Sequence, residues 1–168
     1  MTVASLQNWK DSFAEIELVV DQTWKNNLGS WMSDNTSGMK LAGYSPSNKI
    51  SYSFNSSSFA ASLPDSDKIP VFSTALATAW EAGVLASTLT ITPPMSSPAW
   101  TAITSVTVDP ASISVGKGLI QAMVLAPVET ARESPIIPPL RSAFLSLTYT
   151  VIGVIGGQST TLPAQGVV

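Results

Sequence analysis

Charge is too scarce in this chain for it to clothe itself in the ordinary polar shell of a soluble domain. Only 11% of its residues are Asp, Glu, Lys or Arg, against roughly 25% in typical domains. Three kinds of structure tolerate that shortage: a chain that spans a membrane, a chain covered by other protein, and a chain that shows solvent a surface of Ser, Thr and Asn. A span needs about 20 predominantly apolar residues. The most apolar stretch, 143–157, is shorter and is interrupted by Ser146, Thr148 and Thr150. At the N-terminus, Asn8, Lys10, Asp11, Glu15 and Glu17 stand where the apolar core of a signal peptide would be. The expectation is a soluble chain without a membrane span, covered in part by neighbouring protein.

The chain also contains no histidine and no cysteine. That removes the commonest general base, the commonest metal ligands, the thiol nucleophile and any disulfide. Eight basic residues against eleven acidic ones give a net charge of −3. With no Lys/Arg cluster, nothing offers a phosphate backbone a landing site, so nucleic acid is not an expected partner. At 168 residues the chain is long enough to bury its own core without a metal or disulfide staple.

Hydrophobic spacing organises the chain. Leu6, Trp9, Phe13, Ile16, Val20 and Trp24 recur every three or four residues and predict an amphipathic helix over 5–27, ended by Gly29. Residues 29–67 are rich in Ser, Asn and Gly and read as an ordered loop pinned by aromatics, with one short strand where Ile50, Tyr52 and Phe54 alternate with serines. Asp67 reads as the cap of a second helix, with Pro70 in its first turn and Phe72, Leu76, Trp80 and Val84 on one stripe to about Leu85. Strands are expected over 87–92 and 103–108, a short helix over 115–125, and an extended Pro-rich connector over 127–139. The last element reads as helix to about Thr148, continuing as strand or helix to Ile155. The fold class is therefore α+β: an amphipathic N-terminal helix, helix-to-strand units and a small sheet, joined by long Pro/Ser-rich extended segments. Residues 1–157 make a single domain, and 158–168 an extended or mobile tail. An internal echo lays Ile69-Pro70-Val71-Phe72 over Ile137-Pro138-Pro139-Leu140, although Pro opening two helices accounts for it as simply as a duplicated unit does.

None of the chemical motifs is complete. Gly116-Lys117-Gly118 lacks both the upstream Gly and the following Ser/Thr of a phosphate-binding loop. Asp65 and Asp67 are too few for an oxygen-ligated cation, and Glu15 and Glu17 point to different faces of the expected helix. Serine catalysis needs an activating base, and neither a Ser-x-x-Lys nor a Gly-x-Ser-x-Gly pattern occurs. The expectation is no catalytic residue, no cofactor and no metal.

One further comparison bears on function. Phe72-Ser-Thr-Ala-Leu-Ala-Thr-Ala-Trp80, leading into Ser87-Thr-Leu-Thr-Ile-Thr92, resembles the small-residue helix and Thr/Val strand of short bacteriophage head, neck and tail proteins. Pro135 to Gly157 is similar in style. The resemblance covers about a quarter of the chain and implies a virion structural protein made in the host cytoplasm, partnered by copies of itself or by other structural subunits. Expected interface residues lie in irregular apolar segments: Trp31, Trp100, Ile136, Ile137, Leu162, Val167 and Val168. Two other classes are compatible with the residues. One is a binding module, with the cytoplasm as its location, that offers Trp31, Tyr44, Tyr52 and Phe54 to a carbohydrate or peptide. The other is an enzyme working through paired carboxylates alone.

Overall fold

A computed structural model describes residues 17–19, 22–39, 41–42, 50–64, 66–91, 95–96, 99–125 and 137–167. Within them the chain is α+β. Helices are α1 (Gln22–Asn35), α2 (Ser56–Ser62), α3 (Ile69–Leu85), α4 (Pro110–Leu125) and α5 (Ile137–Leu145). Strands are β1 (Glu17–Val19), β2 (Leu41–Ala42), β3 (Ser51–Ser53), β4 (Ser66–Lys68), β5 (Thr88–Thr90), β6 (Met95–Ser96), β7 (Ala99–Val108), β8 (Thr148–Ile155) and β9 (Gln158–Val167). The main sheet has the order β2-β9-β8-β7-β6, and β1 with β4 and β3 with β5 form two-stranded ladders. Every pairing is antiparallel.

Each helix packs on the next along the chain, α1 on α2 through to α4 on α5, and α1 also meets α5. The buried side chains of the main sheet, Leu41, Trp100, Tyr149, Val151 and Val167, enter the same core as the helices. At its centre the Phe144 ring meets Phe54 at 5.5 Å, Trp80 at 5.6 Å and Tyr52 at 5.9 Å between centroids, each close to edge-on. Leu76 and Trp80, on the expected helix stripe, are fully buried, and so are Leu147 and Val151. Trp9, Phe13, Ile16 and Val20 lie outside the described residues.

Several elements differ from the sequence reading. Glu17–Val19 is a strand paired with Ser66–Lys68, not the middle of a helix. The helix that does form begins at Gln22 and runs through Gly29 to Asn35. Gly29 is there for closeness: a Cβ on it would lie 2.9 Å from the Ser56 carbonyl oxygen of α2, so its missing side chain lets two helices touch. Asp67 pairs with Leu18 in β4 instead of capping α3. The Ser/Asn-rich stretch read as loop contains α2, because the Asn55 side chain accepts a hydrogen bond from the Ser58 N–H at 2.8 Å and so caps that helix. Helix α4 begins five residues before the expected start, at Pro110, with Asp109 Oδ1 accepting from the Ala111 N–H at 3.0 Å. After α5 the chain is strand, because β8 finds partners on both sides.

Residues 158–167, read as a tail, form β9 and sit between β8 and β2. The reversal from β8 is made by Gly156 and Gly157, at φ 56° and 82°. Two successive left-handed residues give the tight hairpin turn whose twist matches that of the flanking strands.

One arrangement occurs twice. A strand ends at a capping residue, two helices follow, and a second strand returns two residues later to pair antiparallel with the first. In the first unit β3, Asn55, α2, α3 and β5 take these roles, with β4 inserted between the helices; in the second they fall to β7, Asp109, α4, α5 and β8. Each capping residue also ties down the returning chain. Asn55 donates to the Ala86 carbonyl oxygen at 3.2 Å, and the Asp109 N–H donates to that of Thr148 at 2.8 Å. The echo between 69–72 and 137–140 thus marks the second helix of each unit.

Gly116 provides a test of the packing. A Cβ there would fall 2.2 Å from the Trp80 ring and 3.1 Å from the Ala143 carbonyl oxygen, whereas one on Gly118 would meet nothing within 4 Å. Gly116→Ala should destabilise by about 1–3 kcal/mol. Gly118→Ala, in the same helix, should stabilise by roughly 0.5–1 kcal/mol. Urea denaturation of the two variants measures both, and equal shifts of the same sign would refute the packing of Trp80 on α4.

Candidate functional site

The described surface is defined by what it presents to solvent. Among exposed residues with described side chains, only Asp34, Asp109 and Arg141 are charged. Glu81 and Lys117 are half-buried and paired with each other at 2.5 Å. The exposed positions of the helices are otherwise small, hydroxyl, amide or apolar residues, for example Thr74 and Thr78 on α3 and Ala111, Ser114, Gly118 and Ala122 on α4. Three large apolar side chains stand open: Leu85 at 61%, Val115 at 58% and Leu145 at 49% exposure.

The main sheet continues this pattern. Strands β7, β8 and β9 contain no charged residue. Along β8, Tyr149, Val151 and Gly153 face inward, and Thr148, Thr150, Ile152 and Val154 are half-exposed on the other side. Their register neighbours on β7 include Ala102, Ser105 and Thr107. One face of the sheet is core; the other is an uncharged surface of Thr, Ser and Ala around Ile152 and Val154.

No catalytic centre is assembled among the described residues. A depression between α1 and α2 with a volume of about 220 Å³ is lined by Asn26, Ser30, Ser56 and Ser57. These are neutral groups, and they supply neither an acid–base pair nor an activated nucleophile. No group of three or more acidic residues is placed to hold a metal ion among the described residues. Nor is any described helix long and apolar enough to cross a membrane. Lys117 lies in the middle of α4, so the Gly116-Lys117-Gly118 run makes no phosphate-binding loop.

The most perturbed titratable groups are structural. Tyr52 and Tyr149 are both buried. The Tyr52 hydroxyl accepts a hydrogen bond from Ser87 Oγ at 2.7 Å. Burial pushes its pKa well above the ordinary value, and the neighbouring Tyr149 hydroxyl adds to that while Ser87 opposes it. Tyr149 is also pushed up by burial, with a smaller opposing effect from Tyr52. The two hydroxyls lie close enough to interact, yet Tyr149 makes no well-formed hydrogen bond.

The expected interface residues divide. Trp31 lies in α1 and Trp100 in β7, and both are buried in the chain's own core, so neither side chain is available to a partner. Trp100 covers Gly153 of β8, where a Cβ would fall 2.8 Å from its ring. Val167 is fully buried and pairs with Leu41, and Leu162 packs partly buried against the core. Ile137 opens α5. Ile136 and Val168 lie outside the described residues, as does Tyr44. Tyr52 and Phe54, expected on a binding loop, are core residues as well. Sequence reasoning missed the open Leu85, Val115 and Leu145. The signal for the two leucines was their place at the last position of α3 and α5, where a helix stripe runs out beyond the core.

No protein family, curated protein or solved structure matches the chain.

Two outcomes follow from the tyrosines and from β9. The fold favours the protonated form of both tyrosines, so their contribution to stability is intact below the ordinary pKa of 10.0 and is lost as pH rises above it. Stability should therefore stay level up to that pH and fall beyond it, with the absorbance of at least two of the three tyrosines appearing only together with unfolding; ionisation of all three ahead of unfolding would contradict the burial. Deletion of 163–168 removes Val167 from the core and ends the pairing with β2. It should lower stability by about 1.5–3 kcal/mol through Val167 alone, read as a fall in Tm, rather than spare the monomer as a dispensable arm would.

Proposed function

We propose that the chain is a non-enzymatic structural subunit of a symmetric assembly, of the kind found in bacteriophage particles. The observation that carries this reading is the exposed surface of the described residues, which holds little charge and leaves Leu85, Val115 and Leu145 open. Solvent-facing surfaces normally carry interspersed charges that keep a monomer soluble. Interface cores are depleted in charge in just this way. The helix and strand on which the phage resemblance rests are α3 and β5, and the resemblance supports the particle over other assemblies. Partners on this reading are further copies of the chain, other structural subunits, or both, and the location is the virion after synthesis in the host cytoplasm. A carbohydrate- or peptide-binding loop finds no support in the geometry, because Trp31, Tyr52 and Phe54 are used in the core.

Light scattering on the purified chain tests the reading. A discrete ring or a polymer is the expected result, and a monomer at all concentrations counts against it. Leu85→Lys combined with Leu145→Lys should shift the population towards smaller species. Because both side chains are largely exposed, Leu85 at 61% and Leu145 at 49%, the unfolding midpoint should change little.

A further inference from the structure

We propose that the outer edge of β7 is a docking site for the β7 edge of a second copy, joining two main sheets antiparallel across a two-fold axis. This deepens the assembly reading and rests on it. On its inner side β7 pairs with β8 from Trp100 to Val108. On its outer side, among the described residues, only Ala99 and Trp100 are paired, with Ser96 and Met95 of β6. The ladder is irregular up to Ser105, with register shifts between Trp100 and Ala102 and between Ile103 and Ser105. There the Thr101 and Thr104 hydroxyls donate to the Val154 and Ile152 carbonyl oxygens at 3.0 Å each. From Ser105 to Val108 the register is regular, and this is the stretch that can accept another strand.

The backbone there is oriented for the purpose. The Asp109 N–H donates to the Thr148 carbonyl oxygen at 2.8 Å. Antiparallel alternation from that bond turns the N–H and C=O groups of Thr107 and Ser105 toward β8. Those of Val106 and Val108 then turn toward the open side.

The twice-used arrangement indicates what belongs on that side. In the first unit, the strand corresponding to β7 is β3, and its outer edge is occupied. The Tyr52 N–H donates to the Met39 carbonyl oxygen, and the Leu41 N–H to that of Ile50, both at 3.0 Å, which is an antiparallel pairing. The second unit has only the short β6 there.

Sequence chemistry selects a second copy as the occupant. When a strand pairs with itself across a two-fold axis, each residue meets the same short stretch, so a charge would be brought up to its own like. Strand β7 contains no charge and no proline, although exposed edges are ordinarily protected by one or the other. Thr, Ser and Val opposite one another are compatible cross-strand neighbours in any register.

The absence of native cysteine makes the test direct. Facing residues of adjacent antiparallel strands are about 4.5–5.5 Å apart between Cα atoms, within reach of a disulfide. In the full chain, Ser105→Cys alone, Thr107→Cys alone, or the two variants mixed should form covalent dimers on mild oxidation, according to whether the two-fold axis passes through Ser105, Thr107 or the intervening Val106. Thr78→Cys, exposed on α3, should not. In a second arm, Thr107→Lys and Thr107→Glu should each associate less than the parent, and mixing them should restore association. Association in light scattering without cross-linking in any of these three samples overturns this docking site and leaves the assembly reading standing. A monomer in light scattering overturns both. Cross-linking equal to that of Thr78→Cys, or only to a different polypeptide during expression, overturns the choice of occupant.

Discussion

The Phe144 ring is the contact on which the rest of the architecture depends. It lies on α5 and meets Tyr52 of β3, Phe54 just beyond β3 and Trp80 of α3, each ring close to edge-on. Such aromatic pairs contribute roughly 0.5–1.5 kcal/mol each beyond the area they bury. Their larger effect here is positional. Two residues after α5 the chain enters β8, whose pairings with β7 and β9 form the middle of the main sheet. Holding Phe144 against the first unit therefore holds the sheet against the helices.

Those rings are seated on glycines. Trp80 lies over Gly116, Phe54 over Gly83 and Trp100 over Gly153, and in each case a Cβ would come within 3 Å of the ring. Close approach of ring to backbone buries most of the large indole surface, and that area outweighs the indole N–H groups of Trp31, Trp80 and Trp100, which find no acceptor. An unmade hydrogen bond of this kind costs about 1–3 kcal/mol. Complete burial of a large apolar side chain is worth as much or more. These three tryptophans are thus spent inside the chain, and the described outer surface is left mainly to Ser, Thr, Ala and a few open aliphatic groups.

How much of this was legible depended on how local the cause was. The stripe through Leu76, Trp80 and Val84 and the alternation of Ile50, Tyr52 and Phe54 revealed their elements, because both patterns follow from the geometry of one helix or one strand. Helix α2 was not legible, since its Ser-rich sequence has little stripe and its cap is a single Asn55. Trp31 and Trp100 were misread as interface anchors because their neighbours in sequence look irregular. Their true partners come from distant parts of the chain; for Trp100 the partner is Gly153. Residues 158–167 looked like a tail for the same reason. A polar strand with two flexible glycines before it becomes a central strand only when β8 and β2 are in place to accept its backbone groups.

By itself, the sequence determined the class of the molecule and the character of its surface: α+β elements from hydrophobic periodicity, and a charge-poor exterior from composition. No rearrangement of contacts can supply charges the chain does not possess. Only the tertiary structure decided which apolar residues serve the core and which stand open. It also decided that Gly29 lies inside a helix, and that β7 keeps one edge unpaired among the described residues. Those outcomes depend on which distant residues approach each other. An uncharged surface is written in the amino acids, while the place where another chain could meet it is a property of the packed molecule.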